Sequence, residues 1–438
     1  MKQVLKCLKI FYTCGMKKRS KNIIDQITEY YDDCEYILLE SQMQEHPSSV
    51  ISYVAVEPKR VIFGKGRRIN KNERGKETIS EENPWTAIRG FMDESRSMTF
   101  GFLGYDLKNH IEQLSSENPE RVDVPDFYFM EPEILMKIEG DNVEVLAGNV
   151  NFEAIKSQSV NTGSGSVKKI NRLESKSSYI RKIIEVQRLI REGDFYELNY
   201  SYPIQAQISG SPLSIYKKMR AINPVPFGAF IKTKDFQVCC SSPERFIKKA
   251  GRKIISEPIK GTSPRSDEKS ADLKYREELL NEKNKAENLM IVDLVRHDLS
   301  LIAETGSVEV SKLFDVQSFG TVHQLISTIE ATALNNVHPV DVIKACFPMG
   351  SMTGAPKIEV MKTIERLEIY RRGIYSGAIG YFTPEGDFDF NVVIRSAIIN
   401  GGNVIYPVGG AITGDSIPEA EWEETHIKAR VLTRIAEK

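Results

Sequence analysis

A single lysine stands in a short segment that two prolines and a glycine shape, residues 257–265 (EPIKGTSPR). A β-type run leads into the segment and a charged, strongly helical stretch follows it, which predicts a shaped turn. Gly261, directly after Lys260, allows another molecule to approach the backbone closely. Taken alone, the pattern is typical of a surface turn with a solvated lysine. A lysine that acts on an approaching molecule is the alternative, and the remaining motifs decide between the two.

Acidic side chains recur on one face of a predicted C-terminal helix. A glycine-rich loop, residues 409–416, runs into this helix, and Pro418 stands in its first turn. Glu421, Glu424 and Lys428 follow at positions i, i+3 and i+7, which lie on one helix face. A solvated charged face is one interpretation of this pattern. In the other, the carboxylates hold a hard cation, while Lys428 and free N–H groups of the loop bind a carboxylate.

A second acidic helix is predicted over residues 284–298. Its pattern changes from charged to apolar at Asn288, as in a helix that passes from solvent into a core. Glu287 stands at this boundary, where a metal ligand is partly buried. A surface charge is the alternative for a single glutamate.

Two further segments have features that suit an anionic ligand. Residues 347–357 form a loop of small residues that opens a helix, and the N–H groups of such a loop can bind phosphate or carboxylate. Arg395 lies inside the apolar strand 392–397, where burial is costly without an anionic partner. A structural salt bridge and a substrate carboxylate both satisfy that requirement.

The bulk composition limits the classes of protein. The chain has 438 residues, and 41% hydrophobic content supports a substantial core. Because 59 basic and 60 acidic side chains nearly cancel, we expect no nucleic-acid surface. The six cysteines lack C-x-x-C spacing and indicate reduced thiols in a cytoplasmic protein. No apolar run approaches the ~20 residues of a membrane span, and residues 1–22 are expected to be a disordered extension.

The elements that position these residues alternate between helical and strand patterns. A helix is predicted over 176–192 with Gly193 as its C-terminal cap, then a strand over 194–202. Further helices are predicted over about 272–297 and 338–346. A capping box of Ser416 and Glu419 is predicted to open the C-terminal helix that carries Glu421 and Glu424. Strands occur as hairpin-like neighbours, which favours an α+β fold with mainly antiparallel sheets. The predicted divisions are an N-terminal part at 23–155, a Ser/Gly/Lys-rich linker at 156–168 and a catalytic domain at 169–438.

In their order along the chain, these motifs resemble the chorismate-utilising enzyme family, which includes anthranilate, aminodeoxychorismate, isochorismate and salicylate synthases. The resemblance implies a fold like that of anthranilate synthase component I, with two large, mainly antiparallel sheets packed together and flanking helices. The matched motifs lie within about residues 175–435 and are Ser242-Pro243-Glu244, Pro258-Ile259-Lys260-Gly261-Thr262, Ala286-Glu287-Asn288, Thr353-Gly354-Ala355-Pro356-Lys357, Tyr375-Ser376-Gly377 and the segment 409–428.

The resemblance also implies roles for individual residues. Glu287 and Glu424 are the implied Mg²⁺ ligands, with Glu421 as water-mediated support; the ion binds the ring carboxylate of chorismate, near Lys428. Glu244 resembles the general acid that protonates the departing C4 hydroxyl. The remaining implied contacts are Tyr375, Arg395 and the backbone of Gly409, Gly410 and Ala411 to the enolpyruvyl carboxylate, and His323 and Thr353 to the ring.

Lys260 distinguishes the branches of the family. Anthranilate, isochorismate and salicylate synthases usually have alanine there, whereas aminodeoxychorismate synthases have P-I-K-G-T, as here. A neutral lysine adds to C2 of the ring as the C4 hydroxyl leaves, and ammonia then enters at C4 and expels the lysine. Such a lysine requires a pocket that disfavours its charge, through burial or a nearby positive group such as Lys428 or Mg²⁺. No G-x-C-x-G elbow is found in the sequence, so ammonia is expected from solution or from a separate glutamine amidotransferase subunit.

Three residues depart from the family pattern: Asn284, where many members have an acid; Glu197, where ammonia-using members often have glutamine; and His297, where asparagine is usual. Two other functions remain as alternatives, an anthranilate synthase component I and a regulatory subunit that binds chorismate without turnover. The retained acid and nucleophile argue against the second. Residues 38–41 (LLES) also resemble a tryptophan-binding element, against the alternative of a buried strand that ends in a polar turn.

Overall fold

The computed structural model describes residues 23–43, 50–157, 163–319 and 322–436. The predicted extension, residues 1–22, therefore lies outside the described residues, as does part of the predicted linker. Cys34, Cys239, Cys240 and Cys346 are free thiols. Within the described ranges, no helix is long and apolar enough to cross a membrane.

Strands dominate the described chain, and helices flank them. The strands, β1 to β21, are Tyr36–Glu40, Ile51–Lys65, Arg68–Glu73, Lys76–Glu81, Thr99–Leu103, Phe127–Glu139, Asn142–Ala147, Ser166–Arg172, Glu197–Ser209, Phe227–Lys232, Phe236–Ser242, Arg245–Ala250, Lys253–Glu257, Ile259–Pro264, Glu309–Ser318, Val322–Thr332, Gly354–Ala355, Ala378–Phe382, Phe388–Asn391, Ser396–Asn400 and Asn403–Ile412. The α-helices, α1 to α11, are Ile23–Tyr30, Pro84–Glu94, Phe152–Ser157, Lys176–Glu192, Pro212–Ile222, Lys269–Glu278, Glu282–Ser300, Pro339–Cys346, Lys357–Leu367, Pro418–Lys428 and Arg430–Ala436. Short 3₁₀ helices occupy Tyr105–His110 and Gly350–Met352.

Antiparallel pairing joins these strands into two long series. The first series runs β8–β9–β21–β20–β11–β10–β1–β2. The second runs β6–β5–β18–β19–β12–β13–β16, with β14 and β15 also paired to β16. The long strands β2 and β6 pair with each other through an irregularity near Pro58 and thereby connect the two series.

Two hydrophobic clusters show how the series pack. Ile231 of β10 shares one cluster with Phe100 of β5, whereas the neighbouring Phe230 shares the other with Tyr179 and Ile183 of α4. Because side chains alternate along a strand, one face of the first series meets the second series and its other face is covered by helices. The predicted α+β fold, with two mainly antiparallel sheets packed together and flanking helices, is confirmed.

The N-terminal part is interleaved with the rest of the fold. Strand β1 lies between β2 and β10, so residues 23–155 contribute strands to the same sheet as residues 169–438. Within the predicted linker, 158–162 lie outside the described residues, and Ser166 already begins β8, which pairs with β9. The helix predicted over 176–192 is confirmed as α4, and Gly193 caps it with φ of 91°.

Three predictions about helix boundaries and the glycine-rich segment were wrong. The single helix predicted over about 272–297 is divided into α6 and α7, because Asn281 accepts a hydrogen bond from the backbone N–H of Asn284 and begins a new helix. Ser416 does not form a capping box. Helix α10 is preceded by Ile417, and the Ser416 hydroxyl donates to Glu421 instead.

The third error concerns the glycine-rich segment, of which residues 409–412 belong to strand β21 rather than to a loop. This strand pairs with β9 through Ile412. A Cβ atom on Gly409 would lie only 2.3 Å from the carbonyl oxygen of Tyr200. The glycine therefore permits close contact between two strands, where the composition predicted a loop.

Candidate active site

A cavity of about 540 Å³ opens among β14, β21, α7 and α10. Such a volume suits a small organic ligand. Ten of the residues predicted for the site come together there: Lys260, Glu244, Glu287, Glu421, Glu424, Tyr375, Arg395, Gly409, Ala411 and Lys428.

Lys260 lies on strand β14 and not in a turn. The pairing of β14 with β16 shifts register between Ile259 and Thr262, and Gly261 has φ of 85°. This bulge re-aims the Lys260 side chain into the cavity wall, where the residue is only 8% exposed. The alternative of a solvated surface lysine is therefore wrong.

The Lys260 ammonium group is held by a carboxylate. Its Nζ atom donates to Oε1 of Glu197 at 2.7 Å, and Glu197 is 1% exposed. Burial lowers the pKa of Lys260, but the negative charges of Glu197 and Glu287 outweigh burial, and the pKa lies above its usual value. The sequence predicted a pocket that disfavours the positive charge of Lys260, but only burial acts in that direction and the net effect on the pKa is opposite. The partner, Glu197, was visible in the sequence only as a departure from the family pattern.

Glu244 is positioned as a carboxylic acid that is partly protonated at neutral pH. The residue precedes β12 and is 6% exposed. Burial raises the pKa of Glu244 to about 7, against the opposing effects of a hydrogen bond from Ser351 and the charge of Lys260. A carboxyl group with such a pKa can donate a proton at neutral pH.

Three further carboxylates line the cavity. Oε1 of Glu424 lies 2.8 Å from Nζ of Lys428. The positive charge of Lys428 lowers the pKa of Glu424. Glu421 accepts a hydrogen bond from Ser416 and lies 3.4 Å from Nζ of Lys283. The same lysine lies 3.8 Å from Glu287, whose pKa is raised by burial.

The glycine at position 410 leaves room beside this cluster. A Cβ atom there would lie 3.4 Å from Nζ of Lys428, 3.6 Å from Oε2 of Glu421 and 3.9 Å from Oε1 of Glu424. Among the described residues, no group of three or more His, Cys, Asp or Glu side chains is placed to hold a metal ion. Mg²⁺ is usually held by one or two carboxylates plus water and substrate oxygens, so the donor set of Glu287 and Glu424 fits it.

Among the described residues that line the cavity, Arg395 is the cation without a protein partner. It precedes β20 with φ of 51°, so it lies outside any strand, where the sequence predicted a strand over 392–397. Its guanidinium makes no ion pair or hydrogen bond to any described residue. A positive charge held in this way needs an anion. The structure therefore favours an anionic ligand over the structural salt bridge that the sequence left open.

Two predicted ring contacts lie elsewhere. The His323 ring is held by Asp272 and Ser318, at 3.0 and 2.7 Å, in the packing of β16 against α6. Thr353 is fully buried behind the wall and donates to the carbonyl of Met349. Neither side chain lines the cavity, which departs from the sequence expectation; tertiary packing, and not local pattern, turns both away.

One buried ion pair that the sequence did not indicate supports the cavity wall. Arg372 and Glu368 are each about 1% exposed in their side chains and lie 2.7 Å apart. The guanidinium also donates to the carbonyl oxygens of Met352 and Asn199, at 2.7 and 2.8 Å. It lies 6.0 Å from the ring of Tyr375. The pair therefore ties three parts of the wall together.

The fold and the cavity together define a protein with a charged site for a small ligand, enclosed by β14, β21, α7 and α10. The sequence profile of the chorismate binding enzymes matches residues 34–434. The chain therefore belongs to the chorismate binding enzyme family.

Relatives within the family agree with this assignment. The chain is 32% identical over 422 residues to aminodeoxychorismate synthase component 1 of Escherichia coli K12, covering 92% of this chain and 93% of that protein. It is 44% identical over 263 residues to the aminodeoxychorismate synthase of Streptomyces griseus, covering 59% of this chain but 36% of that protein. The chain thus spans about a third of the length of that longer relative.

A solved structure matches nearly the whole chain. The anthranilate synthase component I of Streptococcus pneumoniae TIGR4 superposes with a TM-score of 0.79 at 25% identity, covering 96% of this chain and 100% of the other. The expected anthranilate synthase component I-like fold is thereby confirmed.

Proposed function

We propose that the chain is an aminodeoxychorismate synthase component I, which converts chorismate and ammonia to 4-amino-4-deoxychorismate for 4-aminobenzoate and folate synthesis. The observation that carries this proposal is the burial of Lys260 in the cavity wall, with Nζ held by Glu197. The relatives in Escherichia coli and Streptomyces griseus are named for the same activity.

Lys260 is the proposed nucleophile. Glu197, at 2.7 Å from Nζ, is placed to take the proton that the ammonium must lose. The bond from Nζ to C2 of the ring then forms, both conjugated ring double bonds shift, and the C4–O bond breaks. Glu244 gives its proton to the departing hydroxyl, which leaves as water.

The cations of the cavity orient the substrate. Arg395, without an ion-pair partner among the described residues, binds the enolpyruvyl carboxylate, together with the Tyr375 hydroxyl and the backbone at Gly409 and Ala411. Among the described residues, β20 pairs with β21 only at Asn403–Ile405. The edge of β21 that faces β20 is therefore unpaired with β20 at the glycines, and its backbone groups there can contact a ligand. These contacts place the ring between Lys260 and Glu244.

The carboxylates are proposed to hold a divalent cation. Glu287 of α7 and Glu424 of α10 would bind Mg²⁺, with Glu421 as water-mediated support. When bound, the ion supplies positive charge for the ring carboxylate of the substrate. Lys428, which contacts Glu424 and the carbonyl of Gly409, would lie beside that carboxylate.

Ammonia is proposed to come from a glutamine amidotransferase subunit. The Escherichia coli relative is named as a first component, which implies a second one.

Anthranilate synthase component I is the second candidate function, because the matched Streptococcus pneumoniae structure is such an enzyme. Incubation with chorismate, Mg²⁺ and ammonium, followed by chromatographic identification of the product, separates the two. 4-Amino-4-deoxychorismate is expected, and anthranilate as the main product would overturn the proposal.

The protonation of Glu244 predicts the pH dependence of the reaction. The acid must be protonated, and its pKa is raised to about 7, so kcat/KM should fall as pH rises through that value. Glu244→Gln should lose activity by about a hundredfold or more and should lose this alkaline limb as well. A wild-type profile that stays flat through neutral pH would contradict the role of Glu244.

A second cavity is the proposed tryptophan site. Leu39, Glu40 and Ser41 border a space of about 210 Å³ that is also lined by Tyr53 and Phe227. Glu40 is already held by Arg220 and Tyr216, so it contributes fixed charge rather than a free ligand group. L-Tryptophan is expected to raise the melting temperature, with L-phenylalanine and L-alanine as controls. A result in which tryptophan shifts neither the melting temperature nor the rate would count against the site.

A further inference from the structure

A lysine of helix α7 lies between the carboxylates of two helices that border the cavity. Nζ of Lys283 is 3.4 Å from Oε1 of Glu421 and 3.8 Å from Oε1 of Glu287. Because Glu287 is on α7 and Glu421 is on α10, the ammonium group bridges the two helices. A positive charge therefore already occupies the space between carboxylates that are proposed to attract a metal ion.

Lys283 is held more loosely than the other lysine of this cluster. Nζ of Lys428 is 2.8 Å from Glu424 and donates to the carbonyl oxygen of Gly409 at 2.7 Å. Both contacts of Lys283 are longer, and its side chain is 50% exposed. Because a half-exposed ion pair contributes little to stability, this ammonium group can leave its partners at small cost.

The charges of the cluster show what Lys283 balances. Glu424 has a close partner in Lys428, whereas Glu287 and Glu421 share Lys283. The side chains of Glu287 and Glu421 are 13% and 5% exposed, so solvent and salt screen their mutual repulsion poorly. Lys283 reduces this repulsion when no metal ion is bound.

A magnesium ion and this ammonium group need the same oxygens. Mg²⁺ binds carboxylate oxygens at about 2.0–2.1 Å and retains several water molecules. An ion at that distance from Glu287 would strongly repel an ammonium nitrogen 3.8 Å from the same carboxylate oxygen. Its water molecules would also need the space beside Glu421.

We propose that Lys283 is an internal counter-ion, which Mg²⁺ displaces from between Glu287 and Glu421 when it binds. The inference rests on the proposed function, through its metal site, and adds the group that competes with the ion. Lys283 holds the carboxylates of α7 and α10 together in the metal-free protein. It also lowers the affinity for Mg²⁺, because the ion must first break both contacts of the ammonium group.

Isothermal titration calorimetry of the full chain with MgCl₂, without chorismate and at fixed pH and ionic strength, tests the inference. Lys283→Met removes the charge and keeps an unbranched side chain, so its Kd for Mg²⁺ should be about tenfold lower than that of the wild type. Lys283→Arg keeps the charge and should remain close to the wild type.

Lys285→Met is the matched control. It removes one positive charge from the same helix, but Lys285 lies 3.6 Å from Glu282, whose side chain is 96% exposed. Its Kd for Mg²⁺ should equal that of the wild type. The control thereby separates displacement of Lys283 from a general effect of charge on α7.

Melting temperatures provide a second measurement. Without Mg²⁺, Lys283→Met should melt below the wild type, because Glu287 and Glu421 lose their shared partner. Excess Mg²⁺ should raise its melting temperature more than that of the wild type, since the ion binds the variant more tightly. A purely structural ion pair would instead lower the melting temperature equally with and without Mg²⁺.

The inference is overturned if Lys283→Met binds Mg²⁺ no more tightly than the wild type, or if Lys285→Met gains as much affinity. If neither the wild type nor Lys283→Met binds Mg²⁺, the inference and the proposed metal site are both refuted. A wild-type protein that binds Mg²⁺ but makes no aminated product would instead refute the proposed function, while tighter binding by Lys283→Met would still support the displacement.

Discussion

Lys260→Ala is expected to abolish formation of 4-amino-4-deoxychorismate, with a fall in kcat/KM of about a thousandfold or more. The variant lacks the atom that bonds to C2, and the other lysines among the described residues of the cavity lining, Lys283 and Lys428, are paired with Glu421 and Glu424. Any residual amination should move toward C2, as in the relatives that have alanine at this position. Product analysis by liquid chromatography with mass detection measures both effects.

Two controls separate nucleophilic from electrostatic roles of Lys260. Lys260→Arg keeps the positive charge beside Glu197 but provides a poor nucleophile, so it should be as inactive as Lys260→Ala. Lys253→Ala removes a half-exposed lysine from the preceding strand and should be fully active. Melting temperatures are recorded in parallel, because Lys260→Ala leaves the buried Glu197 without its partner.

Glu424→Gln is expected to reduce turnover on the order of a thousandfold, because Mg²⁺ would lose one of its two carboxylates. The Glu424 side chain is 51% exposed, so the fold should remain intact. The same loss is expected of Glu287→Gln, which removes the ligand from the other helix. Steady-state rates at increasing Mg²⁺ measure both variants.

The neighbouring Glu423 provides the control for this prediction. Glu423 lies on the same helix but is 64% exposed and contacts Lys176, so Glu423→Gln should behave as the wild type. The wild-type protein should also lose activity in excess chelator and recover it with Mg²⁺. Full activity of Glu424→Gln, or of the wild type in chelator, would contradict the metal assignment.

The sequence predicted the elements whose patterns are local. Helix α4 and its glycine cap follow from apolar spacing and from the left-handed conformation that Gly193 adopts. The apolar change at Asn288 correctly placed Glu287 at the edge of the core. Motif order was enough to collect most of the cavity residues, because each motif has the residue types that its chemistry requires.

What the sequence could not predict depends on packing between distant strands. The bulge at Lys260 and the strand at Gly409 look like turns in the sequence, since glycine serves close strand contacts as well as loops. His323 is turned away by Asp272, a residue from another element. The pair of Arg372 and Glu368 has no pattern that distinguishes it from surface charges until the fold buries it.

The most direct test of the covalent role of Lys260 is the mass of the protein after incubation with chorismate and Mg²⁺ in the absence of ammonium. We expect a covalent adduct, located on Lys260 by peptide mapping, that ammonium discharges to 4-amino-4-deoxychorismate. An unmodified Lys260 in a preparation that aminates chorismate when ammonium is added, together with a wild-type rate for Lys260→Arg, would contradict it.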